Sequence, residues 1–474
     1  LKLIFLSLNF NVLAMTHTEE IFQEKSEAKA FDLKHRHTIN NNIGKYHQAV
    51  ARGLLQYQDH DLARSRAAYI KTQTVEKLDQ YLVEFEEKFT QKGGKLIWAE
   101  TKADALREIW QIFEKQQAKM VVKSKSMTTE EIGLNEFLEE HNIETVETDL
   151  GEFIVQLAHQ KPYHIVTPAM HLSRQDIGKI FNEKLGIPYT DDAVELTLTA
   201  RRLLREKYTQ AEIGITGANF IIADVGGVAV TENEGNGRLS TTFPKVHIAI
   251  VGLEKVIPSL TDLDLFWGLL ATSGTGQRLT IYNSVYSGPK QADETDGPEE
   301  MYVILLDNGR TKLLADAQKR QALNCIRCGA CLNACPVYKN IGGHTYEATY
   351  SGPIGSIITP HYEGMKVFKH LSYASSLCGA CGAVCPVKID IPQLLLQNRA
   401  QSVEEKANTN LEKTGFSWWR WAMLKRSRMD MLGGKLKNFF FQKFFKSTWG
   451  KRRSMPTVAP KSFNELWQKQ MKKK

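Results

Sequence analysis

The sequence predicts an α/β domain with a mostly parallel sheet, followed by an α-helical domain that carries every cysteine of the chain. Three observations predict it. Between about residues 70 and 306, short apolar runs alternate with amphipathic stretches of helical length, which is the pattern of βαβ units. After Asn308 the chain turns helical. All seven cysteines fall in two short runs, Cys325 to Cys335 and Cys378 to Cys385, and a proline follows each. A length of 474 residues allows two or three domains with a full-sized core. With 42% hydrophobic and 24% charged residues the composition is ordinary for a globular protein, and no apolar run reaches transmembrane length.

In chain order, Leu1 to Ala14 is apolar with one lysine and imitates a short secretory signal. It reads as a start-site artefact, because Met15-Thr-His-Thr-Glu-Glu makes a natural polar beginning. Residues 1–69 as a whole form a helical extension. They are too poor in apolar positions for a core of their own, so they are expected to pack on a neighbour.

The α/β domain spans residues 70–306. Leu78, Leu82, Phe85 and Phe89 recur at helical spacing, and Gly93-Gly94 stops the helix. Strands are expected at Lys95 to Ala99, Met120 to Val122, Ile143 to Val146, His164 to Val166 and Ile213 to Thr216. Helices are expected at Ala103 to Lys115, Gln175 to Leu185 and Val194 to Lys207, with Thr128-Thr-Glu-Glu131 as a capping box opening another. Further on, Gly226, Gly227, Gly235 and Gly237 permit either a cradle for an anion or plain turns. The spacing is neither G-x-G-x-x-G nor a Walker loop, which argues against nucleotide binding. Glu232, Glu234 and Arg238 are the polar candidates of this loop, against the plainer reading of solvated charges and turn caps. His164, His171 and His247 read as packed or surface histidines, since none forms a metal-binding pair.

The cysteine domain spans residues 307–400. A helix from Leu313 to Leu323 is expected to run into Cys325-Ile-Arg-Cys328-Gly-Ala-Cys331-Leu-Asn-Ala-Cys335-Pro336, and Lys366 to Ala374 is helical. The first run has the C-x2-C-x2-C-x3-C-P spacing in which three close thiolates hold one [4Fe–4S] cluster and the fourth ligates another. A single zinc ion would leave one of four crowded thiols unused, and an odd number of cysteines cannot all pair as disulfides. By that ligand swap the first cluster takes Cys325, Cys328, Cys331 and Cys385, and the second takes Cys335, Cys378 and Cys381. Counting back from Cys385 by the same spacing puts a serine at position 375. The second centre therefore has a serine oxygen from Ser375 or Ser376, a water or a substrate as its fourth ligand, or lacks that iron as [3Fe–4S]. The 42 residues between Cys335 and Cys378 point to a helical two-cluster domain with an inserted loop rather than a compact ferredoxin.

Residues 401–474 form a basic, aromatic tail. From Arg420 to Lys474 there are 16 Lys and Arg against 2 acids, a local +14 within a net +8. Tryptophans and phenylalanines interleave with these cations. The pattern suits peripheral contact with an anionic membrane or a partner, and equally a helix folded back with a solvated basic face. Charge aside, nothing in it resembles a nucleic-acid motif, and no nucleic acid is expected as a partner.

With these pieces in order the chain resembles the lactate utilisation protein B family, the iron-sulfur subunit of a bacterial L-lactate oxidation system. The resemblance is carried by Val122-Lys-Ser-Lys-Ser-Met127, Glu147-Thr-Asp-Leu-Gly-Glu152, Gly214-Ile-Thr-Gly-Ala-Asn219, Asn233-Glu-Gly-Asn-Gly-Arg-Leu239, Gly276-Gln-Arg-Leu279, Asp296-Gly-Pro-Glu-Glu300 and both cysteine runs. It implies an LUD-type α/β domain similar to CoA-transferases and formyltetrahydrofolate cyclo-ligase, a dicluster ferredoxin domain and further subunits of a lactate-utilisation system as partners. The chain departs from a typical member at Asp224-Val-Gly-Gly227 and in its tail.

The function expected is electron transfer in the oxidation of L-lactate to pyruvate, through two [4Fe–4S] clusters to a downstream carrier. The chain acts as a subunit of an oxidoreductase complex and carries no catalytic residue of its own. A cytoplasmic location is expected, at most peripheral to the inner face of the membrane, because thiols without disulfide logic suit a reducing compartment. The alternative makes the α/β domain the catalytic or ligand-binding unit for a small carboxylate, held by Arg238, Arg278 and the glycine loop, with structural or sensory clusters.

Overall fold

The structure, a computed structural model, describes residues 16–408, 410–431, 433–449 and 453–472. The segment 1–14 and its expected start-site artefact lie outside the described residues. Two compact units are present: a body, Thr16–Ala407, and a second unit containing the chain from Asn408 onward.

At the centre of the body is a six-stranded parallel sheet in the order β1-β10-β7-β4-β2-β3. Its strands are β1 (Lys95–Ala99), β2 (Met120–Lys123), β3 (Glu144–Glu147), β4 (Ile213–Thr216), β7 (Val246–Gly252) and β10 (Glu300–Leu306). Both faces are covered, as an all-parallel sheet requires. Ile248, Ile250 and Ile304 face the helix Lys102–Gln116 through Ile109 and Phe113. Their neighbours Ala249, Val251, Val303 and Leu305 face the helix Leu78–Gln91 through Leu82, Phe85 and Phe89. Burying each of these large side chains stabilises the fold by roughly 1.5–3 kcal/mol.

A second sheet, in the order β8-β5-β6-β9, consists of β5 (Phe220–Ile222), β6 (Gly227–Glu232), β8 (Val256–Ile257) and β9 (Tyr282–Tyr286). Gly226 turns the β5–β6 hairpin at φ 57°, where an added Cβ would lie 2.4 Å from the backbone nitrogen of Phe89. The Gly226–Gly227 pair therefore serves a turn pressed against a helix.

Three expected elements change. Residues 164–166 are a bend, because the Nδ1 of His164 accepts hydrogen bonds from the backbone N–H of Val166 at 3.1 Å and of Thr167 at 3.3 Å, which curls the chain out of extension. The helix Met127–Ile132 is capped by Ser126, whose side chain accepts from the N–H of Thr129, so Thr128 opens no capping box and Glu131 is free for another role. The single helix expected over 313–323 is two pieces, Arg310–Ala315 and Arg320–Asn324, parted at Asp316. Its carboxylate accepts from the N–H of Gln318.

The N-terminal helices His17–Phe31, Leu33–Gly53 and His60–Glu76 do pack on a neighbour, and it is the cysteine region, distant in sequence. Ile39, Ile43, Ala67 and Val75 share one apolar core with Cys328, Cys331, Cys335, Cys381 and Cys385. Arg64 donates to the carbonyls of Cys385 at 2.9 Å and Ala383 at 2.8 Å. Helix Ile391–Glu404 carries past residue 400 and closes the body.

The second unit, taken by itself, contains the helices Asn410–Met423, Arg426–Asp430, Gly434–Phe440 and Phe463–Met471. Phe416, Trp418, Trp419, Phe439 and Phe463 are all exposed in it. Among the described residues no helix is long and apolar enough to cross a membrane.

Candidate metal centre

The two cysteine runs fold into the same backbone device. Each flanks one cysteine, Cys328 in the first run and Cys378 in the second, with a residue at positive φ before it (Arg327, 60°; Leu377, 53°) and a glycine after it (Gly329, 81°; Gly379, 82°). A short helix follows, Ala330–Ala334 in one run and Ala380–Ala383 in the other, and then the cysteine-proline pair. The left-handed residues curl the chain so that successive thiols point inward from one loop.

Cys325, Cys328, Cys331 and Cys385 line one cavity, closed by Ile165, Ile326, Ile354, Ile389 and Ile391. Thus the last cysteine of the second run joins the first three of the first run. Cys335, Cys378 and Cys381 lie close enough to raise or be raised by one another's charge. All seven are free thiols. Burial pushes Cys328 and Cys331 up, each helped by the charge of neighbouring thiols, and lifts Cys385 to about 11. Four thiolates around an apolar space, three of them buried, repel one another, and a polycationic iron-sulfide core offsets that cost. The donors surround a volume, which fits a cubane.

Backbone N–H groups aim at the sulfurs: Arg327 to Cys325 Sγ at 3.4 Å, Tyr338 to Cys335 Sγ at 3.5 Å and Ile389 to Cys385 Sγ at 3.4 Å. In the second run the N–H of Leu377 donates to Ser375 Oγ at 3.1 Å, the same i+2 to i bond that Arg327 makes to Cys325. Ser375 stands in the place of the missing cysteine. Ser376 hydrogen-bonds Cys378, which is exposed and whose thiol is held low first by the N–H of Ala380 and then by this serine.

Behind the first run lies a buried charge network that periodicity did not reveal. Arg310 binds Glu131 at 2.8 Å and Glu254 at 2.6 Å. Arg327 reaches Glu254 at 3.3 Å and stacks over Tyr350. Lys71 donates to the carbonyl of Glu254 at 2.6 Å. Burial would raise Glu254, but the charges of Arg310, Arg327 and Lys255 override it and hold the carboxyl at about 2. The only hint in the sequence was the arginine inside the cysteine run.

A second cavity, of about 650 Å3, adjoins the first and shares Arg327 and Cys328 with it. It lies at the carboxyl ends of β2, β4 and β7, where Ser124-Lys125-Ser126, Gly217-Ala218-Asn219 and Lys255 follow the strands. From β2 the chain moves outward to β3, and from β4 inward to β7, so the crevice between β2 and β4 is a topological switch point.

Of the expected polar candidates, Glu232 and Glu234 line this cavity, but each already serves the backbone. Glu232 accepts from the N–H groups of Gly237 at 2.6 Å and Arg238 at 2.8 Å, and Glu234 accepts from that of Leu150 at 2.9 Å. Arg238 lies over the ring of Tyr282, and Arg278 lines a separate hollow beside Gln56 and Tyr57. Neither arginine lines the larger cavity, whose cations are Lys125, Lys255 and Arg327. His247 bonds Thr216 at 2.8 Å, His171 bonds Gln160 at 2.7 Å, and burial pushes both, with His164, down to about 3.

An α/β domain on a parallel sheet, joined to a helical domain of two cysteine turns, defines the class: an LUD domain matches residues 82–306 and a 4Fe-4S dicluster domain matches residues 321–389. Over 416 residues the chain is 42% identical to the "Uncharacterized electron transport protein YkgF" of Escherichia coli strain K12, covering 86% of this chain and 87% of that one. It is 47% identical to "Lactate utilization protein B" of Bacillus cereus strain AH820 and of Bacillus thuringiensis strain Al Hakam, over 72% of each chain. The chain belongs to the lactate utilization protein B family.

Proposed function

We propose that this protein is an electron-transfer subunit in L-lactate oxidation to pyruvate, working with other subunits of a lactate-utilisation system and passing electrons to a downstream carrier. The observation that carries the reading is the division of the seven thiols: four around one apolar cavity and three together beside it. In this reading Cys325, Cys328, Cys331 and Cys385 hold one cluster. Cys335, Cys378 and Cys381 hold the other, with Ser375 at its fourth corner. When bound, each [4Fe–4S] cluster takes up and gives up one electron at a time. The chain fixes the spacing of the two centres, excludes water from the first through its isoleucine wall, and tunes both through N–H···S bonds. The family relationship and the name of the Bacillus proteins support the substrate.

The decisive experiment incubates anaerobic, iron-loaded protein with L-lactate and an artificial acceptor, alone and with its co-purified partners. Turnover only with partners is expected, and turnover by the isolated chain would overturn the relay reading in favour of a catalytic α/β domain.

The tail supports peripheral docking to an anionic membrane surface on the cytoplasmic side or to a partner, since its aromatics are exposed beside its cations. Such attachment weakens with salt, which screens charges over about 8 Å at physiological ionic strength. A chain ended near Asn410 is expected to keep its iron and lose salt-sensitive association in fractionation. Identical fractionation at low salt would reduce the tail to packing.

A further inference from the structure

The cavity at the sheet's switch point contains two cations whose charge is not fully used. Lys255 is 7% exposed, lines the cavity and has no hydrogen-bonding or ion-pair partner at its Nζ among the described residues. Arg327 spends Nη2 on Glu254, while its Nη1 is buried without a partner. A buried guanidinium N–H left without a partner, such as Nη1 of Arg327, is costly, and a ligand that accepts from it removes that cost. Burial and the charge of Arg327 pull Lys255 down to about 8, against the opposing charge of Glu254.

None of the described acids that line the cavity is ion-paired with Lys255 or Arg327. These acids are Asp149 and Glu234, in the loops after β3 and β6, and Glu232, the last residue of β6, and Glu232 and Glu234 are engaged with backbone N–H groups. Hydroxyls and amides also line the cavity, including Ser124, Ser126, Thr128 and Asn219. A volume near 650 Å3 falls in the range of small-molecule sites.

We propose that Lys255 and Arg327 form an oxyanion subsite, for a carboxylate or a phosphate group of a small hydroxylated metabolite, in the cavity wall shared with the Cys328 cage. A guanidinium N–H and an ammonium in the wall of one cavity suit a planar carboxylate or a phosphate, and the hydroxyl lining suits neighbouring hydroxyl groups. The site differs from the one first expected, since it uses neither Arg238 nor Arg278. It deepens the proposed function by giving the α/β domain a ligand beside the first cluster. Only its spectroscopic readout rests on the cluster assignment.

The test is calorimetric titration of the anaerobic full-length protein with L-lactate, pyruvate and inorganic phosphate, alongside the EPR spectrum of the reduced protein with and without each anion. Saturable binding of at least one anion is expected. Lys255→Met should weaken it about 10- to 100-fold, the loss for one charge-assisted hydrogen bond, with unchanged iron content. Lys255→Arg, which keeps the charge, should restore most of the affinity. Preference for the two organic acids assigns a carboxylate, and preference for phosphate assigns a phosphorylated ligand. Calorimetric binding without any EPR change keeps the subsite and counts against the neighbouring cluster instead. The proposal is overturned if none of the three anions binds at about 10 mM. It is equally overturned if Lys255→Met shifts only the cluster potential and leaves affinity unchanged, or if Arg278→Met abolishes binding.

Discussion

The two cysteine turns share a backbone and differ in what stands behind it. Around Cys328 the wall is isoleucine and the support is the Arg327–Glu254–Arg310–Glu131 network, in which Glu254, Arg310 and Glu131 are buried and Arg327 is nearly so. Around Cys378 the thiol is exposed, the left-handed residue is Leu377 instead of an arginine, and the first ligand position is Ser375. Similar local geometry therefore serves one enclosed, charge-supported turn and one open turn with a serine where the other has its first cysteine. An oxygen ligand matches iron-sulfur chemistry less well than a thiolate, so on the proposed ligand set the open site is expected to be the labile one.

Replacing a ligand in each turn breaks the comparison most directly. Cys328→Ser is expected to lose the first centre, about four irons per chain, whereas Cys378→Ser loses the second and spares the first. Iron analysis with EPR of the reduced proteins checks both. Equal losses from the two variants, or a Cys378 variant with all its iron, would remove the division into two sites.

The charge network gives a smaller effect confined to the first turn. Folded Glu254 titrates at about 2 against an ordinary 4.5, so the unfolded chain binds its proton more readily. Its contribution to stability is complete above the unfolded value and is lost as pH falls from 4.5 toward 2. Glu254→Gln should cost roughly 3 kcal/mol at neutral pH, because Arg310 and Arg327 lose a shared anion, and should flatten this acid limb. Urea melts of both proteins across that pH range measure it, and parallel pH curves would show that Glu254 carries none of the dependence.

Ser375→Cys should produce the smallest structural change and the sharpest test of likeness. The side chain already accepts the N–H of Leu377 as Cys325 accepts that of Arg327, so a thiol fits there without rearrangement. The variant is expected to retain its second centre several-fold longer in air and to lack any oxidised [3Fe–4S] EPR signal. An unchanged rate of iron loss would mean that exposure, not the oxygen ligand, makes this turn labile.

The larger elements were legible in the sequence because their signals are local. Leu78, Leu82, Phe85 and Phe89 announce their helix by period, and all four are buried where that period places them. β1 and β4 begin and end where the apolar runs do. The bend at His164 was misread as strand because an imidazole that accepts backbone hydrogen bonds leaves no trace in hydropathy. The small second sheet was hidden by strands as short as Val256–Ile257. The cavity's arginine candidates failed for a related reason: an arginine near glycines looks functional in sequence, but only packing decides which cations face a cavity.

The amino-acid sequence by itself determined the chemistry of the metal centre, since thiolate spacing and the proline after each run are covalent facts that no packing alters. It also determined the parallel sheet, through strands and helices that alternate and bury both faces. Only the tertiary structure decided that the N-terminal helices cover the cysteine domain, 250 residues away, because apolar residues too sparse for their own core are completed by whichever surface matches them. The tertiary structure also brought Lys71, Glu131, Glu254, Arg310 and Arg327 together. Each of them is an ordinary charge in its own segment, and burial against the others is what makes them a network.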